Sequence, residues 1–166
     1  MINNKNISYY ILTAIIFAVL KYAYTLSSSD DLLFLLSPIN KIVTIITSEY
    51  STYTENGFFF KNLNISIDKS CSGFNLWLLI FAMLSFLGLQ HINKHKIIII
   101  PTALLIAYIV STFINVSRIF TSIVIQDKIK HILPNHIIHE GIGIITNLTF
   151  LILIYVFTEK QLTKRA

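Results

Sequence analysis

The chain has one cysteine, Cys71, in the stretch Lys69-Ser70-Cys71-Ser72-Gly73-Phe74-Asn75, where a polar segment gives way to a long apolar run. A deprotonated thiol is a nucleophile; otherwise cysteine behaves as a small hydrophobe. A single cysteine allows no internal disulfide. Further on, Arg118 interrupts another apolar run, three residues after Asn115 and so on the same helical face. Arginine in such a run is costly in a bilayer; it faces a protein interior or an aqueous cavity, or it snorkels to the interface as an anchor. Three imidazoles, His131, His136 and His139, precede or open the last apolar run, with Glu140 beside them. By type, each imidazole can exchange a proton near neutral pH, and Glu140 can orient one or act as an interfacial acid. A thiol, a cation and an imidazole are the parts of thiol-dependent acyl transfer, but residue type alone does not choose among the histidines.

These residues need a scaffold, and the composition indicates which. Of 166 residues, 54% are hydrophobic and 13% charged, against roughly a quarter charged in a soluble domain. The apolar residues fall in long blocks rather than amphipathic stripes, which predicts membrane spans. The expected fold is an all-α polytopic membrane protein, a single domain over 1–166 with four spans near 9–26, 73–90, 97–125 and 137–158. Residues 27–72 form the outer segment. Within it, Ser27 to Asp31 predicts a loop ending in a helix N-cap. The apolar stretch Leu32 to Thr47 is broken by Pro38, Asn40 and Lys41. It predicts an interfacial helix, with a fifth crossing as the alternative. Asn56-Gly57 is a tight-turn signal, and Leu63, Ile65 and Ile67 alternate with Asn64, Ser66 and Asp68. That period of two predicts a short β-hairpin-like segment delivering the chain to Cys71.

Charge sets the expected orientation. Lys5, Lys94, Lys96, Lys160, Lys164 and Arg165 crowd into short segments on one side, whereas the longer opposite segments mix lysines with Asp30, Asp31, Glu49, Glu55 and Asp68. The positive-inside rule then places both termini in the cytoplasm. A crossing by Leu32 to Thr47 would turn the basic loops outward. Arg118 stands 21 residues after Ile97, about 30 Å along a helix, so Cys71, Arg118 and His139 share the outer face. The net charge of +5 sits in loops and tails and implies no nucleic-acid partner. The first span serves as an uncleaved anchor, with Lys21 snorkelling at its far end. His91 and His95 lack carboxylate or cysteine companions, so no metal site is expected. Of the sequons at Asn64, Asn115 and Asn147, the last two are too apolar in context to be glycosylated.

Cys71-Ser72-Gly73 opening a span, Asn115-x-x-Arg118 late in the next, and His139 with Gly143 opening the last resemble, in order and spacing, the signature of the exosortase/archaeosortase family. The resemblance runs from about Gly57 to Tyr155, and the small size is closer to the compact exosortase K type than to the longer members. It implies a cysteine protease/transpeptidase of the bacterial cytoplasmic (inner) membrane, with its active site on the extracytoplasmic side. Cys71 would be the nucleophile, His139 the general base and acid, and Arg118 the oxyanion stabiliser. Gly73, Asn115, Glu140 and Gly143 would support the site or bind substrate. The implied partners are the lipid bilayer and a tail-anchored protein carrying a C-terminal sorting signal: a short motif, a membrane helix and a basic tail. No cofactor is implied. A cation near the thiol and the free N–H groups of a helix start would both favour a thiolate. From a different class, a non-enzymatic scaffold or transporter would use Asn115 and Arg118 to line a polar cavity. A lipid- or glycan-modifying enzyme would want a carboxylate pair or a metal motif, and neither is present in the sequence.

Overall fold

The structure, a computed structural model, describes residues 7–92, 96–129 and 135–164; the side chains of residues 126–140 lie outside the described residues. It is mostly helical, with five helices among the described residues: α1 (Ile7–Leu26), α2 (Leu33–Thr47), α3 (Phe74–His91), α4 (Lys96–Ile129) and α5 (Asn135–Thr163). Between α2 and α3 lie three short strands, β1 (Thr52–Thr54), β2 (Gly57–Phe60) and β3 (Ile65–Ile67), and a 3-10 turn, Lys69–Cys71. Four helices are long and apolar enough to cross a membrane: α1, α3, α4 and α5. The helix α2, at 15 residues, extends only about 22 Å against a hydrocarbon core of roughly 30 Å.

The chain forms two compact units. The first comprises residues up to Leu26, Phe74–Ser111 and Phe150 onward. In it α1 packs on α3, and α3 supplies much of the core through Leu76, Trp77, Ile80, Phe81 and Leu87, all buried. Tyr24 stacks on Phe74 with ring centroids 4.5 Å apart, and Phe74 meets Trp77 edge-on at 5.2 Å. The indole Nε1 of Trp77 donates to the Leu104 carbonyl at 3.0 Å. That bond satisfies the one polar atom of an otherwise apolar side chain. Lys21 does more than snorkel: its ammonium donates to Asn75 Oδ1 at 2.6 Å, tying the end of α1 to the start of α3. At the other end of α3, a Cβ on Gly88 would stand 2.7 Å from Ile99 Cγ2, so glycine is what lets α4 approach. On α1 only Thr13 is buried, and its apolar side chains, among them Ile15, Val19 and Tyr22, stay exposed.

The second unit comprises Ser27–Gly73 and Thr112–Thr149. Its three strands form one antiparallel sheet in the order β1-β2-β3. The helix α2 packs against β2, burying Leu35, Leu36, Ile39 and Val43, while Phe60 and Ile67 are the buried apolar side chains of the strands. Each such side chain contributes about 1.5–3 kcal/mol by leaving water, enough to hold a sheet too small to stand alone.

Two sequence expectations shift here. The turn between β1 and β2 is centred on Glu55 and Asn56, because Thr54 pairs with Gly57, which is already the first residue of β2. Gly57 is required for another reason: its φ is +127°, and a Cβ there would collide with the Ile67 carbonyl oxygen of β3. The segment 27–32 does not cap α2 through a side chain. The residue before α2 is Leu32, with no side-chain cap. The Asp31 carboxylate instead reaches back, accepting from Ser28 N at 2.8 Å and Ser28 Oγ at 2.9 Å. These two bonds hold the Asp31 carboxyl below its usual range.

Candidate active site

The site is built at the exit of β3. Asp68 is extended, and its carboxylate folds over the next turn: Oδ1 accepts from Ser70 N at 2.9 Å, Ser70 Oγ at 2.6 Å and Cys71 N at 3.2 Å. The Cys71 N–H also reaches the Asp68 carbonyl at 2.9 Å. Lys69 braces the turn from outside, its ammonium donating to the Ser27 carbonyl at 2.6 Å. This arrangement corrects one expectation. Cys71 belongs to the 3-10 turn, three residues before α3 begins, and its own N–H is already occupied. The Cys71 N–H is therefore not one of the free amides expected at a helix start.

The residue Cys71 is only 4% exposed. Its sulfur lies 3.7 Å from the Ser66 carbonyl oxygen, to which it donates, and 3.8 Å from Ser70 Oγ. Among the described residues, the charged groups acting on it are the Arg118 guanidinium and the Asp68 carboxylate.

Asn115 fastens this turn to α4. Its side-chain Nδ2 donates to the Cys71 carbonyl. The close approach depends on Gly73, whose φ is +70° and whose missing Cβ would stand 3.2 Å from Asn115 Cγ. A positive φ also explains why α3 starts only at Phe74. The other end of the Asn115 amide is unsatisfied: the residue is 1% exposed, and Oδ1 has no hydrogen-bond partner.

One turn further along α4, Arg118 has buried Nε and Nη2 atoms, both without a partner. Its side chain lies across α5 at Gly143, where a Cβ would stand 3.4 Å from Arg118 Cδ and 3.6 Å from Nη1. Gly143 thus makes room for the guanidinium. Positions 139 and 147 stand one turn before and one turn after Gly143 in α5, so the helix face that receives Arg118 is also the face of residue 139. The side chains of His136, His139 and Glu140, and the whole of His131, lie outside the described residues.

Three residues at this site lie outside the functional candidates that the sequence offers. Asp68 could have been found as a turn-capping carboxylate two residues before a serine. Asn147 has a buried Oδ1 without a partner, and it stands on the Gly143 face; its signal is an amide four residues after Gly143, between Thr146 and Leu148 in the last apolar run. Ser66 reads as a solvent-facing member of an alternating strand, and its side chain is indeed exposed. What matters is its main-chain carbonyl, which sequence does not reveal.

The described arrangement therefore holds a buried thiol on a fixed turn, unpartnered donors from a guanidinium and an unpartnered amide acceptor. Two unpaired N–H-bearing nitrogens of an arginine suit a developing oxyanion, because each buried donor left unsatisfied costs about 1–3 kcal/mol that a ligand oxygen would recover. Set against known proteins, the chain finds no match: no family model, no curated protein and no solved structure is similar to it.

Proposed function

We propose that the protein is a membrane-embedded, exosortase-like thiol peptidase/transpeptidase that processes C-terminal sorting signals of exported, membrane-anchored proteins. The observation that carries this reading is the set of buried, unpartnered polar atoms next to the only cysteine: Arg118 Nε and Nη2, and Asn115 Oδ1. A merely structural polar cluster would be expected to satisfy itself.

In this reading the four long apolar helices cross the bacterial cytoplasmic membrane. The exposed apolar side chains of α1 and α5 meet lipid. Both termini are cytoplasmic by the distribution of lysine and arginine, and Cys71 faces the extracytoplasmic side. His139 takes the thiol proton as Cys71 Sγ attacks the scissile carbonyl carbon. The carbonyl electron pair moves onto oxygen, where Arg118 stabilises it. When the tetrahedral intermediate collapses, the C–N bond breaks and the imidazolium returns its proton to the leaving amine. A thioester remains on Cys71. Water or an acceptor amine then attacks it, giving hydrolysis or transfer, and the thiol is restored.

The test is processing of a co-expressed tail-anchored reporter by Cys71→Ser, Arg118→Ala and His139→Ala variants at matched expression, with His136→Ala as control. Retained processing by Cys71→Ser removes the assignment. The unpartnered Asn115 and Arg118 atoms also support a second reading, a scaffold or transporter with a polar cavity. That reading differs in one outcome: Cys71→Ala would be nearly neutral, whereas Arg118 substitutions would not.

A further inference from the structure

We infer that the free edge of β3 is the docking strand for the substrate, which pairs with it through its main chain and is thereby laid across Cys71. This inference rests on the peptidase reading and adds how the peptide is held.

In the sheet order β1-β2-β3, β3 is an edge strand among the described residues. Successive main-chain groups of a strand point to opposite sides. Ile67 turns its carbonyl toward β2, since that oxygen is what a Cβ on Gly57 would strike. Ser66, the middle residue of β3, must then direct its N–H and C=O away from β2, and its pairing with Phe59 is of the wide, non-hydrogen-bonded kind. The thiol marks the same edge, because Cys71 Sγ meets that Ser66 carbonyl at 3.7 Å. An added strand would run about 4.8 Å from β3, in the layer that the sulfur already occupies.

Chemistry and geometry agree on the occupant. Ser66 offers one donor and one acceptor of the peptide main chain. Its carbonyl is held in the resting state by the thiol and released when the thiol gives up its proton. From α4 come the unpartnered donors of Arg118 and the acceptor Asn115 Oδ1, the latter on a residue only 1% exposed. An extended peptide presents the complementary series, C=O and N–H in turn, whereas a helix has both already satisfied. The side chain of Ser66 is exposed, so nothing at this position selects a side chain. The substrate class is an extended segment recognised by its backbone.

The experiment uses the full chain in native membranes and two thiol reagents: acetyl-tetraalanyl chloromethyl ketone, which carries a peptide main chain, and iodoacetamide, which carries none. Labelling rates of Cys71 are read by mass spectrometry. Ser66→Pro removes the outward N–H without removing a bond of the β2–β3 ladder, and proline is tolerated at such an edge. Expected is a peptide-to-iodoacetamide rate ratio about tenfold lower than in wild type, the scale of a lost main-chain hydrogen bond, the iodoacetamide rate correcting for any change in the thiol itself. Independently of any variant, single N-methylation along the peptide reagent should slow labelling of the wild-type protein at alternate residues. Equal ratios of the two rates in wild type and Ser66→Pro, together with no alternation, overturn the docking strand while leaving the peptidase reading standing. A peptide reagent that labels wild-type Cys71 no faster than iodoacetamide overturns both.

Discussion

The side-chain amide of Asn115 donates to the main-chain carbonyl of Cys71, so the turn that carries the thiol is fastened to the helix that carries Arg118. The contact spans 44 residues of sequence, and it exists because Gly73 has no Cβ to obstruct it. The thiol-bearing turn and the arginine-bearing helix are thereby joined through one side-chain amide.

Breaking that coupling should reduce activity without unfolding the protein. Asn115→Ala leaves the Cys71 carbonyl without its donor at a buried site, a loss of about 1–3 kcal/mol. Asn115→Asp keeps the size but presents oxygen to oxygen and should be worse. Reporter processing and the midpoint of thermal aggregation, measured together, separate positioning from stability: processing is expected to fall more than tenfold in both variants. Gly73→Ala should resemble Asn115→Ala, since it adds a Cβ at positive φ within 3.2 Å of Asn115 Cγ.

Arg118 should contribute mainly in the transition state. Removing one donor from an oxyanion site costs about 10²–10³ in rate, so Arg118→Ala is expected to lose at least that much with little change in KM. Arg118→Lys retains the charge but not the planar pair of donors, and should recover only part of the loss. Gly143→Leu should imitate Arg118→Ala by displacing the guanidinium. Gly143→Ala, whose Cβ would make an ordinary contact at 3.4 Å, should be mild. Equal activity of Gly143→Leu and wild type would contradict this placement.

Asp68 is expected to act through the turn rather than the chemistry. It accepts from Ser70 N, Ser70 Oγ and Cys71 N. Asp68→Ala should therefore cost about 1 kcal/mol, as for a lost N-cap, and lower activity with it. Asp68→Asn keeps an acceptor oxygen and should restore most of both. Thermal midpoints with parallel processing assays check the pair.

The loop that receives Lys69 should be sensitive to acid. The Asp31 carboxyl is held below its ordinary value, 3.8, first by the Ser28 N–H and then by the Ser28 hydroxyl. A depressed carboxyl stabilises the fold above its unfolded pKa, and that contribution is lost as pH falls through the folded value. Protection of the Ser28 amide against hydrogen exchange should thus be level from neutral pH to about 4 and decline only below. Asp31→Ala should abolish the protection at neutral pH.

Much of this organisation is legible in the sequence, for physical reasons that also mark where legibility ends. The long apolar helices α1, α3, α4 and α5 follow from extended apolar runs, broken at few points such as Lys21 and Arg118, and the strand leading to Cys71 follows from Ile65 and Ile67 alternating with polar neighbours. Boundaries drift where the driving force changes. The helix α5 runs on to Thr163, past the apolar run, because Glu159, Lys160, Gln161 and Leu162 are good helix formers. The helix α3 waits for Phe74 because Gly73 is left-handed. Non-local contacts are what one-dimensional patterning cannot supply. Nothing adjacent to Asn115 indicates a bond to Cys71, and Gly57 looks like a turn glycine although its role is to admit the Ile67 carbonyl of β3. The Ser27–Asp31 stretch misleads for a related reason: Ser28 and Asp31 satisfy each other before either can cap α2.

The proposal as a whole depends on Cys71 being the nucleophile, and one measurement addresses that directly: the processing rate of a co-expressed tail-anchored reporter in Cys71→Ser membranes against wild type at equal protein level. Expected is a fall of at least about 10³-fold, with a hydroxylamine-labile acyl adduct on Cys71 in wild type alone. Processing by Cys71→Ser at the wild-type rate would contradict it.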